Sequence, residues 1–210
     1  MPKIVIPQDR RKAVSEAVIR VVSREGIEGA SLRNVAKEAG LAIGSVRHYF
    51  DSHEELMIFT MRELGQRIGE RIGTHVDKLV TAGPDGDRQA MVEDLFAEFL
   101  PLDPTRSDEA VAWLAFVVAA RTRPELRPTA EEQHQYVRTL IRRILQEAIA
   151  RGGLPDELDI EVEILRLSAL LDGLTLQTVL HPDSTSPELL VGALRRSLRT
   201  LATLPTVQLD

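Results

Sequence analysis

The chain of 210 residues contains no cysteine. That excludes disulfides, thiolate-bound zinc and cysteine nucleophiles, and it suits a reducing compartment without demanding one. Aromatic residues make up only 4% of the chain, with one tryptophan and two tyrosines, so aliphatic side chains must supply most of any core. Long apolar runs are missing too. The longest, Ala110 to Ala120, is about half of the roughly 20 residues that a membrane span needs. The opening stretch Met1-Pro2-Lys3-Ile4-Val5-Ile6-Pro7 lacks the apolar core of a signal peptide. A soluble, cytoplasmic protein without a membrane partner is expected.

Signatures of catalysis are equally scarce. The histidines His48, His53, His75, His134 and His181 are scattered, and no two have the i, i+4 spacing that would put both rings on one helical face for a metal. There is no glycine-rich phosphate loop and no nucleophile elbow. The carboxylate pairs Glu54-Glu55, Asp108-Glu109, Glu131-Glu132 and Asp156-Glu157 fall near expected helix starts, where the helix dipole accounts for them. No enzyme, metal or cofactor is expected.

What the chain does have is helical periodicity from end to end. Helices are predicted over 8–25, 31–39, 43–50, 52–80, 88–101, 105–122, 125–151, 159–181 and 187–203, an all-α chain of about nine helices. The breaks fall at Thr81 to Asp87, Pro101 to Pro104, Arg123-Pro124, Gly152 to Pro155 and His181 to Ser184. In the first helix Ala13, Ala17, Val18, Val21 and Val22 give the inward face, and Gly26 ends it. Ala110 to Ala120 is apolar all round, as a buried central helix should be. Net charge is −6 overall but unevenly spread. Residues 1–50 carry nine Lys or Arg against five Asp or Glu, and the remainder 17 against 27. A basic unit on an acidic body is the asymmetry of a nucleic-acid-binding head. Arg10-Arg11-Lys12 opens the first helix at the wrong end for the helix dipole, either as a solvated tip or as phosphate contacts.

The most informative stretch runs from Ser31 to Phe50. Ser31 can cap a helix whose stripe is Leu32, Val35, Ala36 and Ala39. Gly40 stands where a left-handed residue should stop it. Ile43, Val46 and Phe50 give the apolar face of a second short helix, and small Ala36 lets the two cross closely. These are the requirements of a helix-turn-helix, whose second helix lies in the major groove.

With Gly26-Ile27 before the pair and Tyr49-Phe50-Asp51-Ser52-His53-Glu54-Glu55-Leu56 after it, residues 10–60 resemble the DNA-binding domain of the TetR family of one-component regulators. The stretch Leu171-Asp172-Gly173-Leu174-Thr175-Leu176-Gln177, followed by His181-Pro182-Asp183, resembles the branch that includes the choline-responsive betaine regulators. The resemblance implies a DNA-binding domain over 1–52, its helix-turn-helix at 31–50, and a ligand-binding and dimerisation domain over 53–210. It implies a repressor released from a palindromic DNA operator by a small-molecule effector. The alternative is a helical binding or scaffold protein without a DNA function.

Gly44, Ser45, Arg47, His48 and Tyr49 point off the stripe of the second helix. Arg47 can bind guanine in bidentate fashion or a phosphate, Ser45 can reach either, and Gly44 permits close approach. Ser31 and Arg33 can bind a phosphate at a helix N-terminus. Ile43 begins the recognition helix, and Tyr49 can alternatively pack under the turn. His48, Tyr49 and His53 resemble family positions that touch phosphate, although His53 stands where the family commonly has lysine. Ala42 stands where a capping Ser or Thr is usual, a loss of ~0.5–2 kcal/mol.

In the body, Met57, Met61, Phe96, Phe99, Trp113, Phe116, His134 and Tyr136 lie on helices that in the family surround a ligand cavity. A stripe of methionines and aromatics is more often plain core. The last two helices are expected to pair with a second copy as a four-helix bundle, through Leu167, Leu171, Leu174 and Thr178 on one and Leu190, Leu194, Ser197 and Leu201 on the other. Asp172 among them is either a hydrogen-bonded buried residue or a polar pair across the dyad. Ligand in the body is expected to tilt the long helix that begins at Ser52 and so change the spacing of the heads.

Overall fold

The computed structural model describes residues 7–83 and 86–201. Among them the regular structure is helical throughout: α1 (Pro7–Glu25), α2 (Leu32–Glu38), α3 (Ile43–Tyr49), α4 (His53–Thr81), α5 (Arg88–Ala97), α6 (Pro104–Ala120), α7 (Arg127–Ala150), α8 (Ile160–Leu180) and α9 (Pro187–Thr200). Single 3-10 turns lie at Ile27–Gly29, Pro124–Leu126 and Pro182–Ser184; periodicity gives no warning of elements that short. The fold is all-α, as the sequence predicts. The fifth helix stops at Ala97 rather than at 101. Its end tightens into i→i+3 bonds, Phe99 N–H to Phe96 O at 3.2 Å and Leu100 N–H to Ala97 O at 3.1 Å, and Pro101 disfavours helical geometry at Leu100.

The chain forms two compact units, one of residues 1–67 with 104–132, the other of 68–103 with 133–210. The first unit therefore runs past residue 52, the expected boundary, and takes in the start of α4 and all of α6. In this unit α1 packs on α2 and on α6. Packing on two sides buries Ser15 and Ile19 as well as Val14, Ala17, Val18, Val21 and Val22, and leaves Ala13, expected inside, exposed. The expectation for α6 is corrected too. It belongs with the N-terminal helices, and Val118 is 62% exposed, so an apolar circumference does not make it a buried central helix. The Ser23 hydroxyl donates to Asp108 at 2.5 Å, and Arg123 pairs with Glu28 in the turn after α1.

The second unit is built around Ile72, Phe96, Leu145, Ile164, Leu171 and Leu194, with further leucines from α8 and α9. Two carboxylates are buried beside this core, and each is compensated. Glu93 holds Arg195 at 3.1 Å and Arg199 at 3.0 Å, tying α5 to α9. Glu163 accepts from Arg166 Nε at 2.6 Å, while Arg166 Nη1 donates to Ser197 Oγ at 2.8 Å. An unpaired buried carboxylate would cost several kcal/mol. Arg88 donates to the carbonyls of Leu79 and Ala82, both at 2.9 Å, and caps the end of α4.

This packing turns much of the expected pairing face inward. Leu167, Leu171, Leu190, Leu194 and Leu201 are buried in their own unit, because α8 and α9 turn those stripes toward the core. Leu174 also packs against that core, Ser197 is engaged by Arg166, and the Thr178 hydroxyl donates to the Leu174 carbonyl of its own helix at 2.9 Å. The stripe left open on α8 is a different one: Val162, Leu165, Ala169, Asp172, Leu176 and Leu180 are all exposed. Asp172 retains solvent contact, yet the protein mass around it raises its carboxyl pKa, with the charge of His134 acting in opposition.

Candidate nucleic-acid interface

The geometry of the turn follows from local bonds. Ser31 Oγ accepts from the Asn34 N–H at 3.2 Å and caps α2, while the Asn34 amide donates to the Gly29 carbonyl at 2.9 Å. At the other end Gly40 has φ +66°. Its N–H reaches Lys37 O at 3.2 Å, and the Leu41 N–H reaches Ala36 O at 2.9 Å. This pair of bonds is a Schellman closure, which requires the left-handed residue. The extended Ala42 then starts α3 with no side-chain cap, as its methyl group dictates.

On α3, Val46 and the following Phe50 are fully buried. Gly44, Arg47 and His48 are exposed, Ser45 and Tyr49 are half-buried, and Ile43 is 38% exposed. Ile43 therefore sits on the outer edge, beside the residues expected to contact DNA rather than under them. A Cβ placed on Gly44 meets nothing within 4 Å, so packing within the protein does not require glycine there; the room lies on the solvent side. The His48 and Tyr49 rings meet edge to face, with centroids 5.2 Å apart. Ser31 and Arg33 at the start of α2 are exposed, and the proton of the Ser31 hydroxyl remains available to a phosphate oxygen. His53 opens α4 with its Nδ1 3.9 Å from Glu54. The Glu54 carboxyl lies below its ordinary pKa, first through its own backbone N–H and then through the charge of His53.

The start of α4 is capped as well. Ser52 Oγ accepts from the Glu55 N–H at 3.1 Å, and Glu55 accepts from the Asp51 N–H at 2.8 Å, close to a reciprocal capping box. Two cationic pairings are absent from the sequence-based expectations. Arg20 and Arg24 of α1 both bind Glu38 at the end of α2, and Arg11 lies over two aromatic rings. Both depend on helix crossings that spacing within a segment cannot report.

The expected ligand residues divide between the units. Met57, Met61 and Phe116 are buried in the first, where Trp113 is half-buried; in the second Phe96 is core, Phe99 packs against it, and His134 and Tyr136 are exposed. Tyr136 lines a cleft of about 210 Å³ between α4 and α7, together with Gly69, Gly73, Val76, Asp77 and Arg143. The glycines four residues apart in a long helix are the sequence signal that could have found it. Among the described residues no group of three metal-ligating side chains converges, and no helix is long and apolar enough to cross a membrane.

Two family profiles match the chain. That of the bacterial regulatory proteins of the tetR family covers residues 16–58, and that of the BetI-type transcriptional repressor C-terminal region covers 88–203. The chain is 33% identical over 182 residues to the HTH-type transcriptional regulator PksA of Bacillus subtilis (strain 168), spanning 87% of this chain and 84% of that one. It is 27% identical over 188 residues to the regulator BetI of Vibrio campbellii, spanning 90% and 89%. A crystal structure of a transcriptional regulator from Rhodococcus sp. Rha1 superimposes with a TM-score of 0.75 at 30% identity, covering 92% of this chain and 96% of that one. The matches span both the turn motif and the C-terminal helices, and the chain belongs to the TetR family of transcriptional regulators.

Proposed function

We propose that this regulator acts in the cytoplasm as a homodimeric repressor, without enzymatic activity, and that a small-molecule effector releases it from a palindromic DNA operator. The observation that carries the reading is the face of α3: Ile43, Gly44, Arg47 and His48 stand exposed while Val46 and Phe50 are fully buried. Such a face can enter a major groove without disturbing the packing behind it. Ser31, Arg33, Ser45, Tyr49 and His53 frame it as phosphate or base-edge contacts. Two copies would read half-sites one helical turn, roughly 34–36 Å, apart.

The effector reading draws on the 210 Å³ cleft beside Tyr136. That volume is below the ~300–1,000 Å³ of drug-sized sites, so a small ligand fits best. An effector can weaken operator binding only by the difference in its affinity for the two states of the regulator. Selection on a random-sequence duplex pool, followed by footprinting, tests the reading. Recovery of a palindrome with two protected patches on one side of the duplex supports it. Recovery of no enriched sequence would overturn it.

A further inference from the structure

We propose that Arg11 is a positioning residue for the recognition helix rather than a phosphate contact, the role its place in the basic cluster Arg10-Arg11-Lys12 suggests. The proposal rests on the DNA-binding function of the chain. Arg11 rises from the first turns of α1. Its guanidinium carbon lies 4.9 Å from the centre of the Phe50 ring and 4.4 Å from that of Phe59. Those rings lean on each other at 5.3 Å and 55°. Phe50 is fully buried and is the residue on which α3 ends; Phe59 belongs to α4. Arg11 Nη2 also stands 3.9 Å from Glu55, whose carboxylate accepts from the Asp51 N–H in the loop joining α3 to α4. One side chain therefore touches the exit of the recognition helix, the first turns of the next helix and the group that caps it.

The guanidinium suits this place in a way that an ammonium would not. Arg11 Nε is buried and has no hydrogen-bond partner among the described residues. A buried N–H left without an acceptor is costly, and the negative faces of two rings are the compensation that its surroundings supply. Arginine stacks flat on a ring and is weakly hydrated, whereas lysine is a compact, strongly hydrated charge. A side chain spent this way is not extended toward a phosphate. Its loss should let the α3–α4 junction shift while the charge facing DNA stays nearly the same.

That separation can be measured. Operator affinity is followed by fluorescence anisotropy, well below the melting temperature, on a duplex recovered from a random pool. Salt is varied from about 50 to 200 mM, the range in which phosphate contacts declare themselves. Wild type is compared with Arg11→Lys, Arg11→Met, Phe59→Leu and Phe59→Tyr. Arg11→Lys, Arg11→Met and Phe59→Leu should each weaken specific binding by roughly two- to thirtyfold, the span of a partly desolvated cation–π contact. The slope of log affinity against log salt, and binding to a scrambled duplex, should not move. Phe59→Tyr keeps a ring and should bind like wild type, and adding Phe59→Leu to Arg11→Met should cost little more. If Arg11→Met lowers the melting temperature of the whole chain, Arg11→Lys and the Phe59 pair carry the comparison. The proposal is overturned if Arg11→Lys binds like wild type. It is equally overturned if Arg11→Met lowers the slope by about 0.9 per subunit and weakens scrambled and selected duplex alike. A wild type that retains no duplex overturns the DNA-binding reading, and this one with it.

Discussion

Arg20 Nε donates to Glu38 Oε1 across 2.9 Å, and so a cation of α1 holds the last residue of α2. A glutamate at that end of a helix opposes the dipole. Arg20, and then Arg24 at 3.0 Å, offset the conflict and hold the Glu38 carboxyl below its ordinary pKa. A depressed carboxylate pKa means stability that is present above the unfolded value and lost as pH falls through the folded one. Glu38→Gln should therefore melt below wild type at pH 7, with the difference shrinking once pH falls below the ordinary glutamate value of about 4 and vanishing only below the lowered folded one. The effect should shrink in high salt, because the pair is exposed. Thermal melts of the two proteins across pH check this; a difference that grows with acidity would contradict it.

Arg47 stands exposed on α3, opposite the buried Val46 stripe. Arg47→Ala should weaken binding to the selected operator by about 1–3 kcal/mol per half-site and relax the sequence preference at the base it meets. The melting temperature should stay put. Unchanged affinity by gel shift would remove Arg47 from the readout.

The turn gives a sharper expectation. Gly40 has φ +66°, a conformation that costs an L-residue roughly 1–2 kcal/mol, and more for a β-branched one. No neighbour lies within 4 Å of a Cβ built there, so the penalty of Gly40→Val is backbone strain and not a clash. The melting temperature should fall and operator affinity with it, since the same residue aims α3. Gly40→Asn, which tolerates left-handed geometry, should recover most of both. Equal losses in the two variants would count against the strain argument.

What could be read from the sequence, and what could not, divides along a physical line. Ser31, Gly40 and the cap at Ser52 act on backbone groups within a few residues, so their bonds are written in local spacing. Arg11, Glu38 and Ser23 act across helix crossings, and no segment-level pattern places them. On α8 the difficulty is of another kind. Ile164, Leu165, Leu167, Leu170, Leu171, Leu174 and Leu176 occupy nearly every side of the helix. Periodicity finds the helix but cannot choose which stripe faces inward. The same surplus of apolar residues explains why α6 reads as a central helix. The candidate ligand residues fared similarly, since Met57, Met61, Phe96 and Phe116 are buried and a stripe of such residues has one periodicity whether or not a cavity adjoins it.

That ambiguity fixes the design of the last test, which concerns assembly. Leu165 is 63% exposed and Leu180 60%, on a stripe of α8 that also carries Val162, Ala169 and Leu176. Leu167, two residues from Leu165, is 2% exposed within the core. If a second copy covers the open stripe, Leu165→Glu places a carboxylate in the interface of each subunit, where burial without a partner is expensive. The chain should then run as a monomer in light scattering at low micromolar concentration. Its helix content should be retained, and its operator affinity should fall by the contribution of the second half-site. Leu167→Glu should do something different. It buries a carboxylate inside one subunit, so the melting temperature should collapse before any question of pairing arises. A Leu165→Glu protein that remains a dimer would move the interface off this stripe, and the spacing of the two recognition helices would then have to be set by another surface.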